Sequence, residues 1–178
     1  MKEIRVLDKK FREFIPERDI KERIVKIADE INKVFAGKEV VFLGILNGAF
    51  LFAADLIRNI DLKARISFVK LASYEGTDSS GRIKELIGWN EDIRNKYVIV
   101  VEDIVDTGNT LERIVNELVI RKPSGIKIAT LLLKPDAYKK DITIDYIGFE
   151  IPNNFVIGYG LDYSGYGRNL PSIYMLFS

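Results

Sequence analysis

The apolar positions of this chain follow two patterns, continuous runs and evenly spaced stripes, and the patterns take turns along the sequence. Residues 40–46, 98–101 and 126–133 are runs rich in Val, Ile and Leu, too short for typical helices, and they predict strands covered on both faces. Residues 65–71 predict a further strand and 82–88 an arm that returns beside it. Ile20, Ile24, Ile27, Ala28 and Ile31 share one face of a helix over 19–35, with Asp19 and Glu22 as its capping box and Gly37 as its stop. The same spacing recurs at Phe50, Leu51, Ala54, Leu56 and Ile57, and again at Leu111, Ile114, Val115 and Leu118. Residues 145–149, 155–158 and 173–177 are short strand candidates between Pro, Asn and Gly turns. Runs alternating with stripes predict one α/β domain over 1–178: a mainly parallel, twisted sheet flanked by helices, with a small hood mainly from about 135–178.

The chain is organised around residues 97–110, YVIVVEDIVDTGNT. The strand ends in Glu102, Asp103 and Asp106, and Thr107, Gly108, Asn109 and Thr110 then turn into the next helix. Carboxyl ends of strands are where open α/β sheets bind ligands. Free N–H groups at a helix start, with two threonine hydroxyls beside them, suit a phosphate. A tight turn with a capping threonine explains the turn but not three carboxylates within five residues. Burying such charges is costly unless a cation or hydrogen-bonding group meets them, and Mg²⁺ with sugar hydroxyls does both. Leu46, Asn47 and Gly48 repeat the strand, small turn and helix order, a weaker signal because such turns are common.

Composition narrows the chemistry. The 178 residues suffice for a sizeable core, and 27 basic against 26 acidic residues leave a formal charge of +1, which points to neither nucleic acid nor a membrane surface. With no cysteine and no histidine, acid-base work falls to Asp, Glu, Lys or Tyr, and any metal is expected to be hard and oxygen-bound. The first residues lack the apolar core of a signal peptide, and nothing approaches the roughly 20 apolar residues of a membrane span, so the cytoplasm is the default location. Residues 72–81, ASYEGTDSSG, have no apolar periodicity and read as either a surface hairpin or a mobile lid.

VVEDIVDTGNTL resembles the phosphoribosyl pyrophosphate binding motif of the type I phosphoribosyltransferases, in wording close to the hypoxanthine-guanine enzymes. GILNGAFLF, the Ser73–Tyr74 pair, TLLLKP and FVIGYGLDYSGYGRNLP extend the resemblance through most of the chain. It implies magnesium-dependent transfer of 5-phosphoribosyl from phosphoribosyl pyrophosphate to a 6-oxopurine, hypoxanthine and guanine, by a cytoplasmic homodimer or homotetramer. It assigns Glu102 and Asp103 to ribose and metal, Asp106 to proton acceptance, and Asp106 with Thr107, Gly108, Asn109 and Thr110 to the 5-phosphate. Leu46, Asn47, Gly48, Ser73, Tyr74 and Arg168 are assigned to pyrophosphate. Lys134 is assigned to the exocyclic oxygen, Phe155 to stacking, Val156 to backbone contact with the base, and Asp162 to base and metal. The family peptide at Leu46–Asn47 can be cis. Asn47 replaces the usual Lys or Arg, which leaves that position a backbone role, and Gly167 replaces a larger residue, which predicts looser packing around Arg168.

Three other readings use the same residues. The phosphate motif does not identify the acceptor, so xanthine or a pyrimidine is an alternative, against which Lys134 and Phe155 favour a 6-oxopurine. A non-catalytic effector-binding module would use the same pocket, although the chain carries no strongly basic stretch. A simple dinucleotide-binding module is disfavoured because the turn lacks G-x-G-x-x-G.

Overall fold

The computed structural model describes residues 2–71, 85–87 and 91–178. Ten strands and three helices are present among them, in two sheets. The main sheet is built from β3 (Glu39–Leu46), β4 (Lys63–Leu71), β5 (Glu85–Ile87), β6 (Tyr97–Val105), β7 (Gly125–Leu133) and β8 (Tyr146–Glu150), in the order β5-β4-β3-β6-β7-β8. Five strands run parallel, and β5 closes one edge antiparallel to β4. The helices are α1 (Glu17–Val34), α2 (Phe50–Ile57) and α3 (Asn109–Ile120).

Although the central strands are apolar almost throughout, their side chains still alternate between faces. Val40, Phe42, Ile99 and Val101 pack with Ile20, Ile24, Ile27 and Ile31 of α1 and Phe52 and Leu56 of α2. Val41, Leu43, Val98 and Val100 pack on the opposite face with Leu111, Ile114 and Leu118 of α3. Both faces are therefore covered, as continuous apolar strands require. From β3 the chain moves outward to β4, and from β6 it moves the other way to β7 and β8, so the strand order reverses between β3 and β6. Ligands of open α/β sheets bind at such a reversal.

At the far edge of this sheet, β8 has a strand neighbour on one side only among the described residues. Arg23 of α1 covers its other side, donating from Nε and Nη2 to the carbonyl oxygens of Ile147 and Gly148 at 2.6–3.1 Å. The exposed acceptors of an edge strand are thereby partly satisfied.

The second sheet, the hood, corrects the expectation from sequence. Its order is β1 (Glu3–Val6), β2 (Lys9–Ile15), β10 (Ile173–Leu176) and β9 (Val156–Ile157), antiparallel throughout. Half of its strands come from the amino-terminal region rather than from 135–178, and β8, expected near the hood, belongs to the main sheet. Phe11, Ile157 and Tyr174 form its small core, with Ile4, Val6, Leu170 and Leu176 against them.

The start of α1 is a second correction. It begins at Glu17, with Pro16 in extended conformation as its cap, so Asp19 and Glu22 lie inside the first turns and form no capping box. Proline is suited to a helix start because it lacks the N–H that would be left unpaired. The Glu17 N–H donates instead to Ser172 Oγ at 3.1 Å, a cap supplied from the other end of the chain. Ser172→Ala is expected to cost about 1 kcal/mol, lowering the thermal midpoint by roughly 2–4 °C. An unchanged midpoint in a calorimetric melt would show that the backbone alone fixes the entry to α1.

Candidate active site

Register brings the carboxyl ends of β3 and β6 together. Gly44 lies opposite Val101, so the residues that follow, through Leu46 on one strand and Asp103 on the other, finish side by side. A pocket of about 330 Å³ opens there, lined by Leu46, Gly48, Glu102, Asp103 and the whole of 106–110.

Glu102 and Asp103 are only 7% and 9% exposed. Burial pushes the Glu102 carboxyl well above the usual range, and the neighbouring Asp103 charge pushes it further. Asp103 is also raised by burial, while its hydrogen bonds and the Arg168 charge act in the opposite direction. The Asp103 N–H donates to Glu102 Oε1 at 3.3 Å. Gly48 makes room for this pair, because a Cβ at that position would stand 1.6 Å from Asp103 Oδ2. Gly160 of the hood is seated just as closely, since its own Cβ would stand 2.0 Å from the Gly48 carbonyl oxygen. The peptide joining Leu46 and Asn47 is cis.

The 106–110 turn enters α3 through Gly108, whose φ of 83° is the left-handed conformation that glycine adopts without steric cost. Among the described residues no side chain caps α3. Its first residues line the pocket without the capping threonine that the ordinary reading of this turn requires. Tyr138 and Lys140 support the turn from behind. A Cβ at Gly108 would lie 2.5 Å from the Tyr138 ring and 2.9 Å from Lys140 Cγ, and Lys140 Nζ is 2.8 Å from Glu112 Oε2 in the first turn of α3.

Asp106 and Lys134 meet for a reason visible in the strand register. Val105 is paired with Leu133, and the Lys134 N–H donates to the Val105 carbonyl oxygen at 2.9 Å. The next side chains consequently emerge together, with Lys134 Nζ 2.8 Å from Asp106 Oδ2.

The hood carries the remaining candidates. Arg168 donates from Nη1 to the Gly160 carbonyl oxygen at 2.7 Å, and its Nη2 stands 2.6 Å from Asp162 Oδ1. Asp162 Oδ2 accepts the Gly165 N–H at 2.6 Å. Phe155 is 45% exposed, with its ring edge-on to Tyr163 at 5.9 Å and tilted against Phe11 at 6.3 Å. Val156 is buried in β9 opposite Met175. Asn47, Lys134, Phe155, Val156, Asp162 and Arg168 stand outside the pocket lining, while Ser73, Tyr74 and the rest of 72–81 lie outside the described residues. At Gly167 φ is 97°, which favours glycine, the nearest side chain is Ile157, and Arg168 beside it is held by Gly160 and Asp162.

Two buried, adjacent carboxylates at a pocket wall suit a small hard cation, which would offset the cost of their charge. Mg²⁺ commonly takes one or two carboxylates and completes its shell from water and substrate oxygens. Among the described residues no group of three His, Cys, Asp or Glu side chains converges on a metal-sized position. Asp162, held by Arg168 and Gly165, is thus not gathered with Glu102 and Asp103 into the expected trio. Sequence reasoning also passed over Asp55, Tyr159 and Gly160. The alternation of glycine, tyrosine and glycine at 158–160 was the available signal, since it marks backbone of unusual conformation.

The family profile described as the phosphoribosyl transferase domain matches residues 16–164. A hypoxanthine-guanine phosphoribosyltransferase of Aquifex aeolicus is 43% identical over 178 residues, covering 99% of each chain. The hypoxanthine phosphoribosyltransferase of Escherichia coli is 40% identical over 162 residues, covering 89% of this chain and 91% of its own. A crystal structure of a hypoxanthine-guanine phosphoribosyltransferase from Bacillus anthracis superposes with a TM-score of 0.87 at 40% identity, covering 94% and 97% of the two chains.

The raised carboxyls yield a signed prediction. For an acid whose folded pKa is raised, the folded state holds the proton longer than the unfolded state does, so stability falls as pH rises through the folded value. Glu102→Gln removes that penalty while keeping the shape. The ligand-free variant should melt a few degrees above the parent at neutral pH, and the gap should close as the pH drops below the ordinary carboxylate range. Calorimetric melts across pH test this; a variant less stable than the parent at neutral pH would contradict it.

Proposed function

The chain belongs to the phosphoribosyl transferase family, and on that premise we propose that it transfers 5-phosphoribosyl from phosphoribosyl pyrophosphate to hypoxanthine and guanine. The products are the corresponding purine nucleoside monophosphate and pyrophosphate, a reaction of purine salvage. The observation that carries the choice of acceptor is the Asp106–Lys134 contact at 2.8 Å. A 6-oxopurine carries an acceptor oxygen and an imidazole N–H on one edge. A cationic donor beside an anionic acceptor matches that edge, whereas an amino group at the same position would meet Lys134 with another donor.

In this reading Asp106 accepts the proton from one imidazole nitrogen as the other attacks the anomeric carbon. The bond from that carbon to the pyrophosphate oxygen breaks, and pyrophosphate leaves with the electron pair. The free N–H groups of 107–110 hold the 5-phosphate and so fix the sugar against the base. Backbone at Leu46, Asn47 and Gly48 receives the pyrophosphate, and Arg168 contributes positive charge as the leaving group develops. Glu102 and Asp103 accept hydrogen bonds from ribose hydroxyls and would hold Mg²⁺, which would neutralise charge on the pyrophosphate. Phe155, exposed over much of its ring and braced by Tyr163 and Phe11, offers a stacking surface for the base. Val156 supplies backbone to the base edge, and Asp162 orients Arg168.

Incubation of the purified protein with phosphoribosyl pyrophosphate, Mg²⁺ and a panel of bases should release pyrophosphate with hypoxanthine and guanine and not with adenine. Asp106→Asn should lower turnover by about 10²- to 10⁴-fold while phosphoribosyl pyrophosphate still binds. Use of adenine as readily as hypoxanthine, or near-normal turnover by the variant, would overturn the acceptor or the base assignment respectively.

A further inference from the structure

Tyr159 stands where the hood rests on the main sheet. It is 3% exposed, and its hydroxyl donates to Asp55 Oδ2, a carboxylate on α2 more than a hundred residues away in sequence. Its backbone is unusual: φ is 47°, and the flanking Gly158 and Gly160 have φ of 98° and 101°. Three successive residues thus have positive φ, and for an aromatic side chain that conformation persists only where the surroundings enforce it.

The surroundings lead directly to the pocket. The Tyr159 N–H donates to the Leu170 carbonyl oxygen at 2.8 Å, and the Gly160 N–H donates to the Arg168 carbonyl oxygen at 3.0 Å. Arg168 returns its guanidinium to the Gly160 carbonyl oxygen. Gly160 in turn is packed against the carbonyl oxygen of Gly48, and Gly48 makes room for Asp103. Asp55 lies on the helix that leaves the Leu46–Gly48 loop. One partly buried hydrogen bond therefore ties the helix that follows that loop to the turn segment that holds Arg168. Burial, the Asp55 bond and nearby negative charge all push the phenol far above its ordinary range, so Tyr159 remains a protonated donor throughout the working pH range.

We propose that Tyr159 and Asp55 are a positioning pair for the leaving group: the phenol-carboxylate bond sets Arg168 at its distance from the Leu46–Gly48 loop, and thereby tunes pyrophosphate and phosphoribosyl pyrophosphate binding. Neither side chain touches substrate. The pair acts through the backbone of Gly160 and the guanidinium of Arg168. This inference rests on the pyrophosphate assignment above and extends it to two residues that line no part of the pocket.

Tyr159→Phe keeps the ring and removes the donor, and Asp55→Asn keeps an acceptor oxygen where Asp55→Leu keeps none. Tyr159→Phe and Asp55→Leu should raise the KM for phosphoribosyl pyrophosphate about tenfold, the scale of a lost hydrogen bond to a charged group, with the KM for hypoxanthine unchanged. Asp55→Asn should stay close to the parent. Titration of magnesium pyrophosphate into each protein by calorimetry should give the same ranking of affinities without any turnover. Variants that merely melt at lower temperature, with unchanged KM and unchanged pyrophosphate affinity at 25 °C, would overturn the proposal, as would Asp55→Asn as impaired as Asp55→Leu. If the parent turned over no 6-oxopurine, the acceptor assignment would fail, but the pyrophosphate titrations would still decide the role of the pair.

Discussion

Two carboxylates buried side by side at the end of the central strand constrain everything around them. Glu102 and Asp103 cannot both carry charge comfortably in so little water, and among the described residues no cation pairs with each of them in an ion pair. The protein instead leaves a pocket beside them and keeps Arg168 close enough to act on Asp103. Glycine at 48 follows from the same arrangement, because no side chain fits between that backbone and Asp103. Stability is given up locally so that a site of unspent negative charge remains for a ligand to meet.

The main sheet was legible because its signals are local. Continuous apolar runs gave β3, β6 and β7, and the stripes gave all three helices to within a few residues. The cluster at 102–110 was legible for the same reason, since carboxylates, turn and helix start are contiguous in sequence. The hood was not. Residues 3–15 contain seven charged side chains among short apolar steps; β1 pairs with β2, and β2 is held in turn by residues 173–176 from the far end of the sequence. The cap of α1 was hidden in the same way: Asp19 and Glu22 matched a local rule, but Ser172 supplies the bond from 155 positions away. Tyr159 and Asp55 belong to this non-local class, as does the abutment of Gly160 on Gly48.

Glycine does different work at each of the three close approaches in the site. At Gly48 the absent side chain admits a carboxylate, at Gly108 a left-handed turn starts the helix against Tyr138 and Lys140, and at Gly160 two loops from different sheets come into backbone contact. Substituting a larger residue at any of them would displace a different part of the pocket. Gly167, by comparison, has Ile157 and Leu170 of the hood as its nearest neighbours, while Arg168 beside it bonds to Gly160.

The interleaving of β2 with β10 also bears on how the chain matures during synthesis. β2 can pair with β1 as soon as both are translated, yet its other edge has no partner until residues 173–176 have followed, after every strand of the main sheet. The main sheet can assemble progressively as its strands appear, domains generally folding in the order in which they are made. Arg168, held by Gly160 and Asp162, belongs to the segment that leads into β10. A nascent polypeptide therefore completes its central strand and the 106–110 turn well before Arg168 and the strand that closes the hood have been made.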